Sequence, residues 1–354
     1  MTMRTITNLK TWMVIVVILL GFGCSIAAGE VIYVDAGRPT GGDGQAWSTA
    51  YKYLQDALYK PAISGDEIWV AQGTYRPDED EGGNVTPGDR TATFQLISGV
   101  EICGGFASGG GAWGDRDPNA YETKLSGDLN GDDIVIADPC DLLNEPTRAE
   151  NSYHVVYTNG VDETTVLDGF TITAGNANGS FPFNCGGGMF NWDNSHPTVT
   201  NCTFSGNLAG YGGGMWNRES NPTLSNCTFS GNSAAKDGGG MYNEDNSNPT
   251  LTDCTFSGNS ATIRGGGMYN RWKSNATVTG CTFSGNSADE DGGGMSNWQS
   301  SPTVTNCTFS GNSAGWGGGI DNYDSDPNIT NCTFSGNSAT EGAAGWTTTT
   351  ATRL

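Results

Sequence analysis

The sequence predicts an all-β chain wound as a parallel β-helix, and three observations carry that prediction. A unit recurs through Cys202, Cys227, Cys254, Cys281, Cys307 and Cys332, at steps of 25, 27, 27, 26 and 25 residues. Each cysteine is followed by Phe at +2 (Phe204 to Phe334) and Asn at +5 (Asn207 to Asn337). Gly-Gly-Gly-Met completes the unit, ending at Met189, Met215, Met241, Met268 and Met295, with Ile320 in the sixth. Third, the length changes are confined. Pro197, Pro222, Pro249, Pro302 and Pro327, with Ala276 in the one exception, stand ten residues before the Asn. Four or five residues separate Asn from the glycines, and six or seven separate Met from the next Pro position. A rigid segment thus alternates with two places that absorb one residue each, as strands in register joined by bulging turns would do. Helical repeats fit poorly, because no i, i+3, i+4, i+7 apolar pattern occurs and each unit carries a glycine triplet. Leucine-rich repeats lack their Leu columns here, and the calcium nonapeptide repeat has a shorter period.

Taken in chain order, residues 1–27 read as an export signal. Arg4 and Lys10 precede the apolar run "WMVIVVILLGFG", and Ser25 and Ala27 suit cleavage after Ala27 or one residue later. The run is short for a membrane span; Cys24 raises lipidation, for which Gly21-Phe22-Gly23 is a poor lead-in. Nothing later is long and apolar enough to cross a bilayer. The chain carries 38 acidic against 16 basic side chains, a net charge of −22, which disfavours nucleic acid and anionic membranes as partners. Residues 30–163 form an N-terminal cap and irregular first coils. In "WSTAYKYLQDAL", Tyr51, Leu54 and Leu58 share one helical face, Ser48 can cap, and Pro61 stops the helix. "TVLDGFTITAGNA", 165–177, reads as a coil leading into the regular repeats of 164–340, and 341–354 is a degenerate tail in which "EGAAGW" replaces Gly-Gly-Gly-Met.

Side chains alternate across a strand, so Cys and Phe, two apart, both face inward. Coils stack about 4.8 Å apart, which places identical residues over one another. Phe meets Phe and Met meets Met, and Val199, Leu224, Leu251, Val278, Val304 and Ile329 make an aliphatic column. The Asn column is expected at a bend, in left-handed backbone, with its amides bonded in a ladder. The glycines permit a tight corner.

These repeats, "GGGMWN" paired with "FSGN" and its counterparts over 186–337, resemble those of the polymorphic outer membrane protein family. The resemblance implies a right-handed β-helix displayed at the outer membrane or secreted, and linked to adhesion. That family's C-terminal β-barrel has no counterpart in "GWTTTTATRL". The stretches "IYVDAG", "WSTAYKYLQDAL" and "GDEIWVAQGTY" resemble the strand, capping helix and first coil of pectate-lyase-like β-helix proteins. The fold expected is therefore a right-handed parallel β-helix solenoid with a short N-terminal capping helix that protects the first strand edge.

Four features are candidates for function. The cysteine column is spaced within disulfide range, but its side chains point in parallel, which favours small buried apolar residues over bridges. No Cys-x-x-Cys or paired His supports zinc. Phe190, Trp216, Tyr242 and Tyr269, each following a Met, are expected to point outward as an exposed strip. Trp192, Trp298 and Tyr323 lie nearby; the strip could stack on sugar rings or simply on itself. Asp128, Asn130 and Asp132 in "GDLNGDD" have calcium-loop spacing at positions 1, 3 and 5, but the later Gly and Glu of that loop are missing, so a solvated turn is the alternative. "RPDEDEGG", 76–83, reads as a loose acidic loop. Sequons at Asn201, Asn226, Asn306 and Asn331 follow from the repeat and are read as incidental. Catalysis would need paired carboxylates, or a base beside an acidic cluster. Asp237, Arg264 and Asp291 lie beside the glycines without repeating, only His154 and His196 are available as histidines, and the irregular region 76–160 is where a site would break the symmetry. The expected role is non-catalytic, structural or adhesive, with surface glycans or envelope proteins as partners and no cofactor beyond calcium. A β-helix polysaccharide lyase or glycoside hydrolase is the alternative.

Overall fold

The computed structural model describes residues 29–59 and 62–347; the signal segment, Cys24 and Pro61 lie outside them. The strands form four sheets, the shortest of which begins only at Asn176, and every strand pair is parallel. Sheet 1 has ten strands, from Val31–Val34 to Asn328–Thr330, and sheet 2 has nine, from Gly73–Tyr75 to Thr333–Ser335. Sheet 3 has seven, from Asn176–Ala177 to Ser338–Ala339, and sheet 4 eight, from Phe94–Gln95 to Ile320–Tyr323. One coil visits the sheets in turn, for example Thr250–Thr252, Thr255–Ser257, Ser260–Ala261 and Met268–Arg271. This is the parallel β-helix expected from the repeat. Among the described residues, no helix is long and apolar enough to cross a membrane.

Like residues pair with like. Phe229 pairs with Phe256, Met241 with Met268, and Leu224 with Leu251. The Phe rings of the central coils stack 4.7 Å apart at interplanar angles of 2–4°, an offset aromatic column rather than a loose apolar filling. The Cys, Phe, Met and aliphatic columns together make one continuous core. Each Asn of the predicted column is a ladder rung. Both the backbone N–H and Nδ2 of Asn232 donate to Oδ1 of Asn259, whose own N–H and Nδ2 donate to Asn286.

The left-handed backbone is not at these asparagines. It falls one residue earlier, at Gly206, Gly231, Gly258, Gly285, Gly311 and Gly336, and again just before each Cys, at Asn201, Asn226, Asp253, Gly280, Asn306 and Asn331. Glycine and Asn tolerate positive φ best, so the corner is carried by Gly and the ladder by its neighbour. The sequon asparagines are thus exposed corner residues. The variable spacers also have a physical account. Where seven residues separate Met from the Pro position, two consecutive residues are left-handed (Asp193 and Asn194, Asp245 and Asn246, Trp272 and Lys273). Where six do, one is (Glu219, Gln299, Asp324). The other variable site is a register shift between Ala209 and Tyr211 against the longer neighbouring strand.

Two further ladders were not anticipated. Asn191, Asn217, Asn243, Asn270, Asn297 and Asn322 are buried in sheet 4 and bond in sequence through their amides at 2.6–2.8 Å. Ser195, Ser220, Ser247, Ser274 and Ser300 each donate a backbone N–H to the serine hydroxyl of the next coil, ending on Ser325. The signal was present in the sequence as an unbroken Asn two residues after each Met position.

At the N-terminal end, helix α1 (Leu54–Tyr59) buries Leu54 and Ala57 in the core and packs on Val31–Val34 and Phe94–Gln95. It is the expected cap, but shorter than predicted. Tyr51 forms a parallel bridge with Val34 instead of joining the helix, and Ser48 lies in a separate 3-10 turn, Trp47–Thr49, so it does not cap α1. At the other end, the degenerate "EGAAGW" keeps its place in the winding: Gly319 and Ile320 donate to Ala344 and Gly345, and Trp346 pairs with Ile320 where a Met would stand.

Candidate ligand-binding site

Phe190, Trp216, Tyr242 and Tyr269 do point away from the solenoid interior, since they belong to an aromatic cluster separate from the core. They are not the exposed strip that was expected: each is at most 2% exposed. The outer face of sheet 4 is covered. Phe190 stacks on Trp216 at 4.6 Å and Tyr242 on Tyr269 at 5.1 Å. Trp192, with Arg218 over its ring, and Phe181 lie over the first pair. Tyr211 packs against Tyr242, whose hydroxyl also meets Glu244 and Arg271. Alternation foretold the direction of these side chains; burial depended on residues such as Phe181 and Tyr211 that occur once and follow no period.

The cluster opens at its N-terminal end into a cleft of about 630 Å³. One wall is aromatic, formed by Tyr157, Phe181, Phe183, Phe190 and Trp192. A second wall is the largely polar segment Asn84–Gln95, whose Gln95 lies beside Tyr157 in sheet 4. That wall is held rigidly. The preceding acidic stretch, expected to be loose, is tied down instead. Asp56 of α1 accepts the Glu81 N–H, the buried Asp78 accepts that of Gly88, and Glu81 accepts that of Gly41. Arg90 bonds the carbonyls of Asn151 and Asn176 and lies 4.2 Å over the Tyr153 ring. Most carboxylates here serve as anchors for backbone N–H groups, while Glu79 pairs with Arg76 at 3.5 Å.

His154 lines the inner end of the cleft, its ring 4.7 Å from that of Phe190 and Nδ1 3.2 Å from the Gly186 carbonyl. Burial pushes its pKa down from the usual 6.5 to about 4. The neutral ring is favoured in the folded state, so its stabilising share is whole above pH 6.5 and is lost as pH falls through about 4. Urea unfolding at pH 7 and pH 4 is expected to show His154→Gln losing about 2–3 kcal/mol less than the wild type over that interval. Equal losses would show that His154 is solvated.

Among the described residues lining the cleft Asp89 is the sole carboxylate, and it is occupied by the Thr91 N–H and hydroxyl. No acid pair for glycoside chemistry is assembled there. Elsewhere, Asp237, Arg264 and Asp291 prove to stack in register at one corner. Arg264 bridges Asp237 at 3.8 Å and Asp291 at 3.2 Å and lies under the Trp298 ring. Burial raises the Asp237 pKa to about 6 although Arg264 opposes it. The guanidinium holds both carboxylates, and Asp237 is 5% exposed.

The predicted calcium residues separate. The Asp128 carboxylate accepts the N–H groups of Gly131, Asp132 and Asp133 and closes a turn, while Asn130 and Asp132 are exposed. The carboxylates that gather with Asp128 are Asp133 and Glu150, from further along the chain. The nine described cysteines are free. Cys202 to Cys307 are buried in the core, as suits a column of small apolar residues, and burial pushes the Cys202 thiol up to about 12.

A family model described as a right handed beta helix region matches residues 124–269 and again 187–353. The two overlapping matches take in all the regular coils and the irregular coil before them, and they supply the handedness. No curated protein and no solved structure matches the chain.

Proposed function

The chain belongs to the right-handed β-helix family, and from that premise we propose that it is an exported, non-catalytic module that binds glycans at the cell surface or outer membrane, in a structural or adhesive role. The observation that carries the reading is the cleft, where an aromatic wall adjoins a polar, backbone-anchored one and the described lining residues hold no carboxyl pair. Aromatic faces with a few convergent polar groups suit the apolar faces and hydroxyl edges of sugar rings. The leader-like residues 1–27 support export, and the repeat resemblance to an adhesive family supports the role. Phe181 is 54% exposed and Trp192 half-buried, so part of each ring is open to solvent at the cleft.

A glycan array followed by calorimetry on any hit tests this. The double variant Phe181→Ala, Trp192→Ala is expected to bind at least tenfold more weakly, about 1.4 kcal/mol, while Trp316→Ala, remote from the cleft, binds as the wild type. Unchanged affinity in the double variant removes the cleft as the site. The alternative, a polysaccharide lyase or glycoside hydrolase, has one observation in its favour, the Asp237–Arg264–Asp291 column. Incubation with polygalacturonate and alginate in calcium separates the two: unsaturated products or new reducing ends would defeat the non-catalytic reading.

A further inference from the structure

Residues 127–151 leave the winding between the strands Thr123–Ser126 and Val156–Asn159. The excursion runs along the solenoid, where its 3-10 turn Pro139–Asn144 packs against the strands Ser233–Asp237 and Ser260–Ala261, with Cys140 Sγ 3.1 Å from Ser260 Oγ. Its two ends meet again at a cluster of acids. Asp128 and Asp133 come from the outgoing end and Glu150 from the returning end, and one oxygen of each lies within 4.8 Å of the others.

The acids alone would be a poor argument, because clustered carboxylates are common on an acidic protein. The buried atoms around them add a second. Oδ1 of Asp133 and Oε1 of Glu150 are sealed from solvent and receive no hydrogen bond. The side chain of Asn151, fully buried, is directed into the cluster: Nδ2 donates 2.8 Å to Asp133 Oδ2, while its own Oδ1 has no partner. Arg148 supplies the nearby positive charge, at 3.2 Å from Asp133 Oδ2, but spends Nη2 on the carbonyls of Gly175 and Gly206. Three carboxylates and one guanidinium thus leave an excess of negative charge beside oxygen acceptors that lack donors. An unmade hydrogen bond to a buried acceptor is costly, and a cation satisfies several such oxygens at once. Oxygen-only ligands exclude a preference for soft metals. Calcium, with a flexible shell of six to eight oxygens, suits carboxylates brought together from separate chain segments better than magnesium, which demands a near-ideal octahedron.

We propose that Asp128, Asp133 and Glu150 bind a calcium ion that clamps the two ends of the 127–151 excursion together against the solenoid. This site is separate from the cleft and stands whether or not a glycan binds there. The test uses the full chain stripped with EDTA. Terbium luminescence and thermal unfolding in calcium chloride or magnesium chloride are measured for the wild type, Asp133→Asn and Glu150→Gln. Wild-type protein is expected to bind terbium, to release it to calcium more readily than to magnesium, and to melt several degrees higher in millimolar calcium. Both variants are expected to bind at least tenfold more weakly. Glu150, which is half-buried, serves as the milder change should Asp133→Asn fold poorly. Absence of binding and of a melting shift in the wild type would overturn the proposal, leaving the acids to share protons instead. Binding that survives Glu150→Gln unchanged would overturn the assignment to these residues.

Discussion

Asn259→Ala is expected to destabilise the folded chain by about 3–5 kcal/mol, among the largest effects of any single polar truncation here. Asn259 is completely buried in the middle of the solenoid. Its Oδ1 accepts both the N–H and Nδ2 of Asn232, at 3.1 and 2.9 Å, and its Nδ2 donates to the Phe229 carbonyl and to Asn286 Oδ1, at 3.0 and 2.9 Å. Alanine removes all four bonds and leaves the Asn232 N–H without its acceptor in a site that excludes water. The backbone bonds of residue 259 survive, its N–H donating to Asn286 Oδ1 and its carbonyl accepting the Ser287 N–H. Nearest-neighbour coupling means that both adjoining coil interfaces weaken. Ser257→Ala, two residues away on the outer face, is the control, expected within about 0.5 kcal/mol. Urea unfolding of the two variants measures the difference, and a loss below about 1 kcal/mol for Asn259→Ala would mean that the ladder does not form.

Gly239→Ala is expected to cost about 4 kcal/mol or more, or to prevent accumulation of folded protein. The reason is contact rather than torsion. A Cβ at Gly239 would lie 2.3 Å from the Ser260 carbonyl oxygen and 2.5 Å from that of Gly266, both backbone atoms of the next coil. Those carbonyls belong to a continuous hydrogen-bonded stack and cannot swing away as a side-chain tip would. Gly258→Ala makes the opposite case. Gly258 has φ +59 with nothing within 4 Å of a built Cβ, so only the left-handed conformation is charged, at about 1–2 kcal/mol. Melting curves that rank Gly258→Ala as the worse of the two would refute this division between close approach and positive φ within one repeat.

The columns were legible because a solenoid makes each residue its own neighbour. Phe229 meeting Phe256 needs no knowledge beyond the period and the alternation of a strand, and the same holds for the Asn207 ladder. The position of the left-handed corner was harder. Gly206 and Asn207 are adjacent, both invariant, and either could have taken it; only the backbone shows that Gly turns and Asn bonds. The sheet 4 ladder from Asn191 to Asn322 was equally periodic, but a polar residue in a strand also reads as a solvated one.

Symmetry ends where the repeat does. The period determined by itself the winding, the inward columns and the two places where a residue can be added, since these follow from interactions between identical units. It could not determine that Phe181 and Tyr211 close over Trp216 and Tyr242, that the acidic run 76–83 anchors the wall of a cleft, or that Glu150 returns to Asp128. Those contacts join residues that occur once, across separations no pattern encodes, and only the packed chain brings them together.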